Sequence, residues 1–269
     1  ASGHTVIPLS AADCDITDAA SVSAVLTDSA PDLIINCAVI LDVDKCEADQ
    51  ARCFAVNRDG VGNLLRACAT LGKKPVFVQI SSSETFGRVN EGEYEINGYR
   101  EDDEQKPVSA YQRSKKESED VLMRFVQEHP AALARWYIVR AGWLYGTGRQ
   151  TFVDRFMTLL QSSVPLTVIK DQWRSPTWTC DFAKALSQLL EGGYPFGIYH
   201  IVNEVAPGEA TTMDVIGEIE KFLGPRAAKP EKTMVAFADF FKVPRAPSNV
   251  LKNTKLPKLR PWREALREY

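Results

Sequence analysis

The chain has 269 residues, 45% of them hydrophobic and 25% charged, with a formal net charge of -3. That length is ample for a sizeable core, in one large domain or two smaller ones. The slightly acidic balance disfavours non-specific nucleic-acid binding. Apolar runs are strand-sized, so a membrane span is not expected. Six cysteines lack a CxxC pair and three histidines are scattered, so a zinc site is not expected either. The thiols read as buried and free in a reducing, cytoplasmic protein.

Thr5 to Leu9 reads as a strand. Asp18 or Thr17 caps a helix with Val22, Val25 and Leu26 on one face. Asp32 to Cys37 is a buried strand. A long helix runs through Phe54, Val61, Leu64, Leu65 and Cys68 and stops at Gly72. Val76 to Ile80 is the next strand, and the polar stretch from Arg88 to Pro107 is a loop. The helix of Tyr111 and Lys115 continues through Val121, Leu122 and Phe125, and Trp136 to Arg140 is a further strand.

Beyond residue 150 the rhythm loosens. Helices fit 151–162, 180–191 and 212–223; strands fit Leu166 to Ile169 and Ile198 to Val202. The tail from Val243 to Leu259 is rich in proline, lysine and arginine. The β-α-β alternation predicts an α/β fold, a doubly wound, Rossmann-like parallel sheet. Residues 1–150 read as its dinucleotide-binding domain. Residues 151–269 read mainly as a smaller, partly helical substrate lobe, with some segments returning to the main sheet.

A first strand followed by a glycine-rich turn is expected at the front of such a fold and is not among these residues. The reading is that about twenty residues precede Ala1. A fold built without that turn is the alternative.

The most informative spacing is Tyr111 and Lys115, which share one helix face at i and i+4. Ser81, Ser82 and Ser83 lie upstream. A hydroxyl, a phenol and an ammonium can together move a proton on and off a carbinol oxygen. The tyrosine–lysine spacing alone also fits an exposed helix pair. Further segments narrow it: Asp15-Ile16-Thr17-Asp18, Ile35-Asn36-Cys37-Ala38, Val43-Asp44-Lys45-Cys46-Glu47, and Val56-Asn57 with Gly60 and Asn63. To these add Arg140 with Trp143-Leu144-Tyr145-Gly146, Asp171-Gln172 with Ser175-Pro176-Thr177, and Arg245 with Pro261 to Leu266. In this order the set resembles the dTDP-4-dehydrorhamnose reductase family, in the extended branch of the short-chain dehydrogenases/reductases.

The resemblance implies NADPH or NADH as cofactor, a dTDP-sugar as partner, and a C4 ketone as the reacting group. It makes Ser82, Tyr111 and Lys115 catalytic. It places Asp15, Ile16, Cys37, Ala38, Asn57 and Ser81 at the cofactor, with Tyr111 and Lys115 also touching it. Val43, Ser83, Trp143 and Arg174 fall to the substrate. A nearby ammonium and oxidised nicotinamide should lower the phenol's pKa from about 10. Structural readings stand beside these: Trp143 as core, Asn57 as a bridge within a helix, Arg174 as a solvated loop residue. Arg174 replaces a family glycine; its functional reading is a bidentate donor to the pyrophosphate. The resemblance assigns no metal ligand. It admits a homodimer.

Ser81 to Gly87 departs from the reductase pattern toward that of sugar epimerases and dehydratases. A dehydratase needs Asp then Glu there; Ser83 stands in the Asp position, so dehydration is not expected. Asp42 replaces a small residue of the family's substrate loop. Ser10-Ala11-Ala12 selects neither NAD nor NADP. Two further readings remain: an epimerase of the same branch, and a regulatory subunit such as the beta subunit of methionine adenosyltransferase.

Overall fold

The structure is a computed structural model that describes residues 3–87 and 97–269. In chain order its elements are α1 (Ala19–Ser29), β1 (Leu33–Asn36), α2 (Val43–Ala48), α3 (Gln50–Phe54), α4 (Gly60–Thr70), β2 (Val76–Ser82), α5 (Ala110–Glu128), β3 (Arg135–Ala141) and β4 (Trp143–Tyr145). They continue with α6 (Phe152–Leu160), β5 (Leu166–Ile169), β6 (Pro176–Trp178), α7 (Thr179–Glu191), β7 (Gly197–Ile201), α8 (Thr212–Leu223), β8 (Lys232–Val235), α9 (Phe237–Phe240) and α10 (Trp262–Glu268).

The main sheet is parallel, in the order β1-β2-β3-β7. Its register pairs Phe77 with Trp136, Val78 with Tyr137 and Ile80 with Val139. Side chains alternate across a strand, so the pairs divide between two faces. Phe77 and Ile138 pack under α1, α4 and α5 with Val22, Leu65, Leu122 and Phe125. Val78, Tyr137 and Val139 pack under α7 with Phe182, Leu186 and Leu189. A side chain as fully buried as Leu65 or Leu122 contributes about 1.5–3 kcal/mol. Helices on both faces of a parallel sheet give the doubly wound arrangement.

Thr5 to Leu9 forms no strand; residues 3–10 are exposed and irregular, with Val6 at 78%. Apolar alternation makes a strand only where a neighbour completes its ladder, and this segment has none among the described residues. The predicted long helix through Phe54 is broken. A π-helical turn, Ala55–Asp59, separates α3 from α4, which ends at Thr70. At the start of α4, a Cβ on Gly60 would lie 2.5 Å from Ile16 Cδ1, so glycine lets Ile16 seat against the helix. Part of the predicted 88–107 loop, residues 88–96, lies outside the described residues.

A second apolar cluster joins β4, β5, α6, α8 and α10, around Tyr145, Leu160, Ile216 and the fully buried Trp262. The short parallel pairs β4–β6 and β5–β8 lie here; β4 and β6, three residues each, are too short to announce themselves by periodicity. The basic tail does not wander. Tyr99 bridges to Leu251 and Trp173 to Ser248, while Leu251 N donates to Ser175 Oγ at 2.9 Å.

Beneath the strand ends lies a buried ion pair. Arg140 Nη2 donates to Glu119 Oε2 at 2.7 Å, and Arg140 Nη1 to the Glu101 carbonyl at 3.0 Å. Burial works against the Glu119 charge, but Arg140, Ser81 and Gln105 outweigh it and hold its pKa below the usual carboxylate value. Removing one partner strands the other charge. Glu119→Ala is therefore expected to cost about 3–5 kcal/mol. Asp120→Ala, which breaks the exposed pair with Lys116, is expected to cost under about 1 kcal/mol. Urea unfolding of the two variants checks the contrast.

Candidate active site

The carboxyl ends of β1, β2 and β3 converge with the first turns of α5. Serine and glutamine three apart make a capping box, Ser109 with Gln112, that starts α5. Glu47 Oε2 accepts from Ala110 N at 2.7 Å, placing an anion at the helix's positive end. These contacts fix the turn bearing Tyr111.

Tyr111 is 4% exposed and packs with Cys46, Cys53 and Ala110, with Val39, Ile40, Val43 and Phe54 around them. Its phenol lies beside the Ser82 side chain, which opposes the rise in its pKa. Ser82 Oγ also accepts from Glu84 N at 3.1 Å, capping the tight turn Ser83–Thr85. One helical turn on, Lys115 is 3% exposed and donates to the Ile80 carbonyl at 2.8 Å. So β2 presents Ile80 to the ammonium and Ser82 to the phenol, and the three predicted catalytic side chains do come together.

Their electrostatics differ from expectation. Burial, and then the Glu84 charge, raise the Tyr111 pKa above its ordinary value, with Ser82 opposing. Lys115 is not among the groups that act on the phenol; its ammonium donates to the Ile80 carbonyl. Burial lowers the Lys115 pKa to about 8, against Glu119 and Cys37.

Asn57 sits in the π-helical turn, 1% exposed. Its Oδ1 accepts from Ile40 N at 2.8 Å; its Nδ2 donates to the Ile40 carbonyl at 3.1 Å and Ser114 Oγ at 3.0 Å. The π turn is the local irregularity that carries Asn57, and Asn57 ties the loop after β1 to the face between Tyr111 and Lys115. Asn36 holds the start of that loop, donating to Gln79 Oε1 at 2.9 Å and accepting from Ala38 N at 3.1 Å. Cys37 and Ala38 are exposed there. Cys180 is exposed as well, so two of the six thiols expected to be buried are not.

The other predicted cofactor residues are placed less directly. Asp15 is exposed and accepts from Thr17 N at 2.9 Å. Ile16 is buried, its side chain against Gly60. Ser81 Oγ is turned to Glu119 beneath the sheet.

Of the predicted substrate residues, Val43 opens α2 in the apolar cluster around Tyr111, and Ser83 is buried in the turn after β2. Trp143 is stacked on Phe152, ring centroids 3.4 Å apart at 10°. Arg174 is not a solvated loop residue. It is 7% exposed and pairs with Glu84 at 3.4 Å. A chain reversal from the lobe brings it inward, and a buried guanidinium needs an anion facing it.

Glu84 is the residue that sequence reasoning passed over. Its Oε2 accepts from Gln112 Nε2 at 3.0 Å and its Oε1 from Asn249 Nδ2 at 2.6 Å. Glu84 was visible as a departure from the reductase pattern. Asn249 lies in an aperiodic tail that gave no signal.

Lys115 offers three donors, and the Ile80 carbonyl takes one of them. A buried ammonium with donors to spare, beside a phenol and the open Cys37–Ala38 loop, fits the ribose end of a nicotinamide cofactor.

Comparison with known proteins gives a consistent picture. The family described as the RmlD substrate binding domain matches residues 1–269. A dTDP-4-dehydrorhamnose reductase of Mycolicibacterium smegmatis is 34% identical over 276 residues, covering 100% of this chain and 78% of that protein. The crystal structure of a dTDP-4-dehydrorhamnose reductase from Clostridium acetobutylicum superposes with a TM-score of 0.84 at 31% identity, covering 100% of this chain and 90% of that one. A Bacillus anthracis dTDP-4-dehydrorhamnose reductase solved in complex with NADP gives 0.82 at 25% identity, covering 98% and 88%. A Thermotoga maritima UDP-glucose 4-epimerase, at 18% identity and a TM-score of 0.75 over 94% of this chain and 80% of that one, shares the fold. By its family match and by relatives aligned along its whole length, this chain belongs to the dTDP-4-dehydrorhamnose reductase family.

Proposed function

We propose that this protein reduces the C4 ketone of a dTDP-linked 6-deoxysugar with NADPH or NADH, giving dTDP-L-rhamnose or a close relative. The observation that carries the reading is the buried phenol of Tyr111 beside the Ser82 side chain, one turn from Lys115. The reductases named above, one of them holding NADP, support the reaction class.

A reduced nicotinamide, when bound, supplies the hydride. The chain's own groups handle the oxygen. Ser82 donates to the C4 oxygen and orients it. Tyr111 delivers its proton as negative charge builds there. Reduction calls for an acid, and a buried phenol with a raised pKa keeps its proton at neutral pH. A forming alkoxide is a stronger base than phenolate, so the transfer runs downhill all the same. The Tyr111 pocket excludes water and holds the donor rigid, which lowers the entropic cost of the step. Lys115 would hold the ribose with its free donors. Trp143 and Phe152 offer a flat apolar wall for the sugar, and Arg174 a cation for its diphosphate.

Three assays separate the readings. The full-length protein, given NADPH or NADH and dTDP-4-dehydro-6-deoxy-L-mannose, should consume cofactor in step with product. Tyr111→Phe should lower that rate at least about a hundredfold, the usual scale of a lost general acid, while cofactor binding, read by fluorescence, persists. Sugar interconversion without net cofactor oxidation would replace the reductase reading with an epimerase. Absence of turnover together with a co-purifying enzyme would favour a regulatory subunit.

Lys115 generates a separate expectation. Its folded pKa is about 8 against an ordinary 10.5. The unfolded chain therefore holds a proton that the folded chain releases between those values, and stability contributed by this site rises with pH across that window. Below about pH 8 the cost of burying the ammonium is paid in full. Lys115→Met should make the cofactor-free protein more stable near pH 7 and flatten its stability gain between about pH 8 and 10, while weakening cofactor binding. Urea unfolding at a series of pH values checks the slope.

A further inference from the structure

Glu84 lies in the segment after β2 that departs from the reductase pattern, and the proton-transfer scheme above leaves it without a task. Its surroundings give it one. Gln112 directly follows Tyr111 in α5, and its amide donates to Glu84 Oε2 at 3.0 Å. The same amide's oxygen accepts from Val108 N at 2.8 Å and from Ser109 N at 3.3 Å, closing the helix cap. Asn249, from the carboxyl-terminal tail, donates to Glu84 Oε1 at 2.6 Å. Arg174 faces that oxygen at 3.4 Å, with its buried Nη1 making no hydrogen bond. One carboxylate thus joins the end of β2, the start of α5 and two segments of the lobe.

We propose that Glu84 is a positioning residue for the proton donor: its carboxylate sets the Tyr111 helix in register with the lobe and serves as the resident counter-anion of Arg174. The proposal rests on the reading of Tyr111 as the donor. Both Glu84 oxygens face donors of the chain itself. The Glu84 charge faces the phenol across the turn. The other groups around that phenol are the Ser82 hydroxyl from β2, the Cys46 thiol from α2 and the Cys53 thiol from α3. Lys115, on the same helix, is directed to Ile80. Glu84 is therefore the fixed anion among the groups that act on the phenol, and it disfavours phenolate until ligand arrives. A phosphate-bearing ligand that engages Arg174 would compete for its guanidinium, so ligand binding and the charge at the tyrosine are coupled through Glu84.

The test compares Glu84→Gln, Arg174→Met and Tyr111→Phe in the full-length protein. Glu84→Gln keeps the side chain's shape and removes its charge. It should shift the basic limb of the kcat/KM profile down by about one pH unit, the scale of a neighbouring charge, and lower kcat about tenfold with a smaller change in KM. Arg174→Met leaves the Glu84 charge uncompensated. It should move the same limb upward and raise KM for the dTDP-sugar. Glu84→Asp, which retains charge but not reach, should restore the limb without restoring kcat. Opposite shifts in the two variants are the signature; a merely structural contact would lower activity without moving the limb. A limb that stays in place in folded Glu84→Gln and Arg174→Met, with Tyr111→Phe inactive, overturns the role of Glu84 alone. An active Tyr111→Phe overturns the reading of Tyr111 beneath it.

Discussion

The rest of the site depends on the burial of a phenol and an ammonium one helical turn apart. Water would level both groups to their ordinary behaviour. Removed from water, each is pushed toward its neutral form, the phenol upward and the ammonium down to about 8. Such a pair survives only if its polar atoms are met by fixed partners. The end of β2 lies against both: the Ile80 carbonyl accepts from the ammonium, and two residues on the Ser82 side chain stands beside the phenol. A parallel strand delivers that spacing without further design. The helix has to be held against it with comparable accuracy.

That accuracy comes from contacts spread around α5. Glu47 and the Ser109–Gln112 box set where the helix begins. Asn57 and Ser114 set its rotation, because they join on the face between Tyr111 and Lys115. Glu119 and Arg140 anchor its middle to β3 beneath the sheet. Arg140 also donates to the carbonyl of Glu101, and Glu101 in turn accepts from Thr254 N at 3.1 Å. The tail that carries Asn249 toward the site is thereby tied to the same buried pair. A charge network of this kind adds little net stability, since desolvation offsets most of its attraction. Its contribution is geometric.

Much of the frame was legible because each sheet strand is an apolar run between helix signals. Leu33–Asn36, Val76–Ser82, Arg135–Ala141 and Gly197–Ile201 all lie where hydrophobic patterning puts them. The Tyr111–Lys115 helix was legible from its spacing and from the apolar residues Val121, Leu122 and Phe125 that follow. Thr5 to Leu9 carried the same apolar alternation and forms no strand, because a strand is a property of a pair and one sequence segment does not name its partner. The π turn was also hidden. Val56, Asn57 and Val61 satisfy a helical period, and nothing in them marks the extra residue. The burial of Arg174 was hidden for a related reason: arginine is ordinarily exposed, and the anion paired with it, Glu84, is ninety positions upstream. Long-range pairs of opposite charge leave no local trace.

The segment after β2 shows how a departure from a family pattern becomes informative once its neighbours are known. Glutamate at position 84 resembles the dehydratase and epimerase arrangement more than the reductase one, while Ser83 stands where a dehydratase needs Asp. Elimination of water needs a protonated acid and a free base at that point. Ser83 is buried and weakly acidic, and both Glu84 oxygens are occupied by Gln112, Asn249 and Arg174. A carboxylate so engaged is tied to the chain's own donors. The substitution therefore alters the electrostatic setting of the tyrosine more readily than the class of reaction. Reduction asks only that the phenol keep its proton until the ketone oxygen can take it, and an anion held beside a buried phenol favours that condition.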